Sequence, residues 1–413
     1  MYDAVIVGAR CAGASTALLL AQRGYRVLLI DRAAFPSDTM STLYIHPPGV
    51  ALLARWGVLD DVVESGCPTL DTVTYDVGGL RLSAPAPATA YAKACYAPRR
   101  YVLDDLLVRA AVAAGAEFRD RNSARELVWR DDRVVGVRVS RADKSEHLDG
   151  TETVEARLVI GADGMNSKIA AMVQAPLVRS DPLLSCVYYS AWQGVVTGFG
   201  YHEQPGSWIA RIPTHDEVTL VATYFPQDRF AELRHDPTAG HLAAIEAGAP
   251  ELYEQVRAAE QVGRLNGTGN QQNFFRRPHG PGWALVGDAG HHLDTITARG
   301  ITNALIQAQL IADAVAGRDF GDLAGLDAAL ARFGREAHEM LHEPYVSTLE
   351  LAKLRVPDSR MTLLRTISDS PELVADYFAM IAGILDEAEF FTPELLAMLP
   401  SSAVPDRLPR ATA

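Results

Sequence analysis

Cysteine is scarce: Cys11, Cys67, Cys95 and Cys186 are the only four in 413 residues, and none forms a C-x-x-C pair. No histidine sits near them at metal-ligand spacing, so neither a disulfide framework nor a structural metal is expected. No apolar run reaches the roughly 18 residues that a bilayer-spanning helix needs, so no stable membrane association is expected. Positive charge is in deficit, with 38 Lys and Arg against 51 Asp and Glu and a net charge of −13. That balance argues against nucleic acid, where affinity rests on neutralising phosphates. Internal repeats and low-complexity linkers are absent too. The first apolar strand begins at residue 2, so no secretory leader is expected and a reduced, cytoplasmic protein is. What remains is 48% hydrophobic and 22% charged, the balance of a globular chain with room for two or three subdomains.

The first 32 residues carry the strongest pattern. An apolar strand, Tyr2 to Val7, runs into the turn Gly8-Ala9-Arg10-Cys11-Ala12-Gly13. A helix rich in Ala and Leu is expected from about Ala14 to Arg23, ended by Gly24. A second apolar strand, Val27 to Ile30, stops at Asp31 and Arg32. This is a βαβ unit suited to a dinucleotide. Gly8 permits the tight turn, Gly13 lets helix and strand approach, and the helix N-terminus offers free N–H groups to a pyrophosphate. Asp31, eighteen residues after Gly13, is placed to meet ribose hydroxyls. The middle glycine of G-x-G-x-x-G is replaced by Arg10. Its side chain either swings aside while the turn is kept, or it binds phosphate itself.

Further along, residues 50–66 read as one helix, 71–90 as short strands, and Tyr101 to Ala114 as an amphipathic helix. Strands are expected near 117–119, 124–129, 133–139 and 157–160, with a polar hairpin tip at 143–153. Residues 181–228 look β-rich and 238–262 helical. An apolar strand in WALVGDAG precedes a long helix, about Thr302 to Ala316, and residues 325–398 look mostly helical. Beyond Leu399 the tail is polar and expected to be loose.

Two more motifs end apolar strands. Gly161-Ala162-Asp163-Gly164 follows one, and Leu285-Val286-Gly287-Asp288-Ala289-Gly290 follows the other. Asp288 falls where open α/β sheets bind ligands, and Gly300 and Ile301 open the next helix. The three motifs, in this order and at these separations, resemble the flavoprotein monooxygenases of the p-hydroxybenzoate hydroxylase type. Their wider kin are geranylgeranyl reductases and flavin-dependent halogenases.

The resemblance implies a Rossmann-like, α/β FAD-binding domain assembled from residues 1–70, 98–180 and 275–325. It implies a β-rich substrate domain from 71–97 and 181–274, and a C-terminal helical region, 326–400, that caps the molecule or makes a dimer contact. A monomer or homodimer is expected. By position, Gly8 to Gly13, Asp31, Arg32, Asp163, Gly164, Gly287, Asp288, Gly300 and Ile301 inherit FAD-binding roles, with Arg99, or else Arg100, beside the cofactor. The implied partners are NADPH or NADH, O₂ and a small aromatic or polyketide-like substrate, hydroxylated or epoxidised through a flavin C4a-hydroperoxide. Tyr44, His46, Tyr188, Tyr189, Trp192 and Tyr224 are expected to wall the substrate pocket. His291, His292 and Asp294, on the loop beside the ring, are candidates for acid–base work. Two departures stand out. The proline the family sets after G-D-A-A-H is replaced near Thr295, and the W-x-W-x-I-P string of halogenases is missing.

Overall fold

The computed structural model describes residues 1–141 and 151–400. Most of the expected hairpin tip and nearly all of the loose tail lie outside the described residues.

A central sheet orders its parallel strands as Trp283–Leu285, Glu152–Gly161, Tyr2–Val7, Val27–Ile30 and Glu117–Arg119. These strands come from three separated stretches of chain. Being covered on both sides, they read as near-continuous apolar runs. The helix Cys11–Gln22 lies against them with eleven of its twelve residues buried. It is apolar all round because helices Arg100–Ala113 and Gly300–Val315 cover its other sides. It begins three residues earlier than its apolar spacing suggested, because Cys11 to Gly13 already belong to its first turn.

The expected 50–66 helix is two. Pro47–Arg55 ends at Trp56, Gly57 takes a left-handed φ of +75°, and Leu59–Glu64 starts afresh. The glycine was the signal for the break.

A second sheet joins Thr72–Val77 and Leu80–Pro85 to Phe199–Gln204, Ser207–Pro213, Val218–Pro226 and Ser185–Gln193. Its pairs are antiparallel apart from Thr72–Val77 beside Phe199–Gln204. Side chains alternate across it. One face, with Val187, Tyr189, Ala222 and Tyr224, shares a core with the C-terminal helices Asp358–Ile367 and Pro371–Ala382. The other, with Trp192, Ile209 and Val221, packs beneath Pro237–Gly248 and Pro250–Ala258. The whole is a mixed α/β fold with a β-rich region and C-terminal helices. Among the described residues no helix is long and apolar enough to cross a membrane.

Candidate functional site

The three motifs meet at one edge of the central sheet because their strands are adjacent and in register. Val7 pairs with Gly161, and Gly161 with Leu285. The Ala162 N–H donates to Val7 O at 2.8 Å, and the Val286 N–H to Gly161 O at 2.9 Å. All three chains therefore turn away at the same level, at the carboxyl ends of the strands.

The glycines there are demanded by packing. Gly8 has φ +104°, and a Cβ on it would lie 2.4 Å from Ala162 O. A Cβ on Gly13 would fall 1.7 Å from Gly8 O. Gly287, at φ +61°, lies against the Ala12 methyl. Gly164 and Gly300 face open space instead.

Two long helices start at this edge, Cys11–Gln22 and Gly300–Val315. Neither has a side-chain cap or an acid in its first turn. Their free N–H groups and positive dipole ends suit an anion. Asn303, in the first turn of the second helix, is 3% exposed, and neither atom of its amide has a partner. Buried amides are nearly always paired, so this one marks a place for a polar ligand atom.

Arg10 takes the first of its two alternatives. Its Nη1 bonds Asp104 Oδ2 at 2.8 Å, and its guanidinium also reaches Ser37 and the Asp38 carbonyl. The turn is kept, and the side chain straps the 37–38 segment to the helix Arg100–Ala113. Asp104 is fully buried and accepts further bonds from Arg100 Nε and Nη2 at 3.0–3.2 Å and from the Cys11 thiol at 3.2 Å. Burial raises the Cys11 thiol pKa well beyond the physiological range. Of the two arginines, Arg100 is the one tied into this network. Arg99 ends the preceding segment, its N–H donating to His215 Nδ1 at 3.3 Å.

Asp31 accepts two backbone N–H groups. Its Oδ2 accepts the Ala9 N–H and its Oδ1 the Ala33 N–H, both at 2.8 Å. The short carboxylate is turned back to fix the glycine turn, while Arg32 beside it is exposed. Asp163 likewise works locally, accepting from Ser167 Oγ and the Lys168 and Ile169 N–H groups at the start of a short helix. Asp288 stays half-buried at the strand end, and Ile301 is buried.

The expected substrate wall divides. Tyr189 Oη lies 2.9 Å from Thr295 Oγ1, and Tyr224 donates to the Thr295 carbonyl at 2.9 Å. Tyr44 stacks on Phe199 with centroids 4.2 Å apart and meets His46 edge-on at 4.8 Å. The Thr297 carbonyl and Thr302 hydroxyl tie His46 to the loop before the second long helix. Burial, then the nearby Arg299 charge, pull the His46 pKa down to about 3, against the Thr297 hydrogen bond. Burial also lowers Arg299 to about 10, and its Nη2 donates to Ile381 O at 2.5 Å. Tyr44, His46, Tyr189 and Tyr224 thus surround the 295–302 segment. Tyr188 and Trp192 do not join them. They sit at even positions of their strand and face the other side, where Trp192 Nε1 bonds Ser190 Oγ. Strand parity decides this, and it was available in the sequence.

The His-His-Leu-Asp run also splits. His291 packs on Phe275 at 4.3 Å with neither ring nitrogen paired. Burial, then His292 and His338, bring its pKa to about 3. His292 bonds the Gln272 carbonyl. Asp294 is fully buried, accepting from Ser185 Oγ at 2.7 Å and from the Ile296 N–H at 3.1 Å. Burial pushes it up to about 6 against those bonds. With both its oxygens engaged, it braces the loop that carries Thr295.

A family model described as an FAD binding domain matches residues 1–317. The chain belongs to that family. This flavoprotein is 26% identical over 365 residues to digeranylgeranylglycerophospholipid reductase 1 of Methanopyrus kandleri, covering 85% of this chain and 89% of that one. It is 25% identical over 332 residues to a tryptophan 2-halogenase of Chondromyces crocatus, covering 75% of this chain and 60% of the relative's length. In fold it is similar to the myxobacterial chondrochloren halogenase CndH, with TM-score 0.76, 20% identity and 98% of each chain covered. It is also similar to PqsL of Pseudomonas aeruginosa, a probable FAD-dependent monooxygenase, with TM-score 0.69, 19% identity and 92% and 99% covered.

The residues at the flavoprotein's sheet edge fit FAD: two uncapped helix starts, a turn whose two glycines have no room for a Cβ, and one orphaned amide. Four residues carried no recognisable signal in the sequence. Asn303 had no signal beyond its place after Gly300. Asp104 looked like one more acid on an amphipathic helix. Gln271, whose Oε1 accepts from the Thr295 hydroxyl, and Ser185 lay in segments with no motif.

Proposed function

We propose that this flavoprotein is an NAD(P)H-dependent monooxygenase, a hydroxylase or epoxidase of a small aromatic or polyketide-like molecule. One observation carries the reading. The segment 295–303 faces both ways, meeting the tyrosines of the second sheet through Thr295 and opening the uncapped helix at Gly300 to Asn303. A molecule held against Tyr189 and Tyr224 would lie next to whatever occupies that helix start.

FAD would be held by the turn Gly8–Gly13, by Gly287 and Asp288, and by the N–H groups and Asn303 amide at the second helix. When bound, it supplies electron transfer from a nicotinamide and the activation of O₂. The chain's own part is to bind, orient and exclude water. The tight packing at Gly8 and Gly13 sets the helix start at Cys11 so that its uncapped first-turn N–H groups can meet phosphate. The apolar face around Tyr44 and Phe199 keeps water out. Thr295, bonded to Tyr189, Tyr224 and Gln271, offers a neutral hydrogen-bonding array that orients a substrate hydroxyl or carbonyl. Burial pushes the Tyr189 pKa up to about 12 and raises that of Tyr224 well above its ordinary value, so both remain donors at neutral pH.

Anaerobic mixing of the FAD-loaded protein with NADPH, and separately NADH, tests the reading through flavin absorbance. Bleaching by one of them, then substrate-stimulated O₂ consumption with oxygen incorporated into product, is the expected result. Absence of bleaching with every candidate substrate would refute a self-sufficient monooxygenase. A second reading, reduction of isoprenoid double bonds, is favoured by the 85% of the chain that aligns with the Methanopyrus reductase. It predicts product formation without O₂.

A further inference from the structure

A separate cavity of about 380 Å³ lies between the strand Asn273–Arg276, the segment that follows it and the long helix Leu323–Ala352. None of the residues around Thr295 lines it. Its floor is apolar, with Phe275, Ala337 and Leu341 all buried. Its mouth is cationic. Arg277 and Arg335 are exposed there, and among the described residues neither has an ion-pair partner. Glu339 is the one carboxylate among the lining residues, against three arginines and three histidines. In a chain of net charge −13, this is a local reversal of sign.

His291 also lines the cavity. It is 3% exposed, and neither ring nitrogen has a partner. A buried imidazole satisfied on neither side is uncommon in a finished core. The volume falls within the usual range of small-molecule sites, roughly 300–1,000 Å³. Apolar walls with a few polar groups at one end are also the usual make-up of such sites.

We propose that this cavity binds a small amphipathic organic anion. Its flat apolar body would rest on Phe275, Ala337 and Leu341, and its anionic head would sit between Arg277 and Arg335. The site is distinct from the one proposed for the substrate. It abuts the flavin side, since Gly290 is in its wall and Arg276 Nη1 holds the Ala289 carbonyl at 2.8 Å.

The test uses the FAD-loaded protein and three probes of one shape: 2-naphthoate, 2-naphthyl phosphate and neutral 2-naphthamide. Binding is followed by calorimetry, with FAD content recorded for every variant. The anions are expected to bind at least about tenfold more tightly than the amide, and less tightly as salt rises. Whichever anion binds better identifies the head group. The double variant Arg277→Glu/Arg335→Glu should weaken anion binding by about tenfold or more, with FAD content unchanged. Ala337→Trp, which fills the floor, should abolish binding of all three probes. Equal binding of anion and amide, or unchanged affinity in the charge-reversed variant, would overturn the proposal. If Ala337→Trp fails to fold, the charge reversal, made on exposed side chains, decides alone. No turnover is measured, so failure here leaves the monooxygenase reading untouched.

Discussion

Asp104 offers the sharpest perturbation of the dinucleotide-side framework. Its side chain is wholly buried, with Arg100 11% and Arg10 29% exposed beside it. Replacing Asp104 by Ala leaves two guanidiniums facing each other without the carboxylate between them. Removing one partner of a buried pair costs about 3–5 kcal/mol. Arg10 can turn partly into water, which places the expected loss near the lower end, at about 3 kcal/mol. At about 2 °C per kcal/mol for a large domain, the melting temperature should fall by about 6 °C. Asp104→Asn keeps the shape and part of the hydrogen bonding, so its loss should be about half as large. The strap also fixes the turn, so FAD should bind more weakly and raise the melting temperature of the variant less than that of the parent. Thermal unfolding with and without saturating FAD measures both effects. The same network makes an unusual demand on Arg10. Arg10→Gly, which restores the middle glycine of the common pattern, should destabilise the protein, because Asp104 then keeps Arg100 as its one cationic partner, with the Cys11 thiol beside it. A double-mutant cycle between Arg10→Ala and Asp104→Ala should show coupling well above the error of additive sites, about 0.5 kcal/mol. A melting temperature for Asp104→Ala within about 2 °C of the parent would show that the carboxylate does not hold the two arginines.

Three further outcomes are expected. Gly13→Ala, whose Cβ would lie 1.7 Å from Gly8 O, should purify without FAD, and full flavin content would contradict the backbone clash. Asp294, raised to about 6 by burial, binds protons in the folded state that the unfolded chain has already released. Its contribution to stability is therefore fully present below about pH 4 and is lost as pH rises through 6. Urea unfolding of Asp294→Asn across that window, minus the parent, should show the variant gaining relative stability as pH rises, and a flat difference would count against the assignment. Tyr224→Phe should raise KM by removing the donor to Thr295, whereas Trp192→Phe, on the opposite sheet face, should lower stability by about 1–2 kcal/mol with KM unchanged. Steady-state kinetics beside thermal melts separates the two, and an equal KM effect would place both residues at one pocket.

Much of the dinucleotide framework was legible in the chain because its signals are local. Tyr2–Val7 and Val27–Ile30 are short apolar runs that end at glycine or acid and form where they read, while the strand expected at 157–160 starts earlier, at Glu152, because pairing with Arg133–Arg141 extends it through polar residues. Helix boundaries moved by a few residues at Cys11 and Gly300, where the first turn is built from small residues without apolar spacing. Trp192 was misplaced although strand alternation assigns its face. The spacing of Asp31 from Gly13 does not reveal that its carboxylate also holds the Ala9 and Ala33 N–H groups.

Local sequence is enough to place a glycine turn after the first strand, glycine-and-aspartate motifs after two further apolar strands, and a β-rich stretch between them. Those features depend on backbone freedom and side-chain period within a few residues. Long-range packing sets the three strand ends side by side, brings Arg10 to an acid 94 residues away, and gathers Tyr189, Tyr224 and Gln271 at Thr295. Those arrangements are choices among many partners of similar chemistry. What selects one is burial: a carboxylate, hydroxyl or amide removed from water must bond to whichever group the packed strands and helices bring within reach.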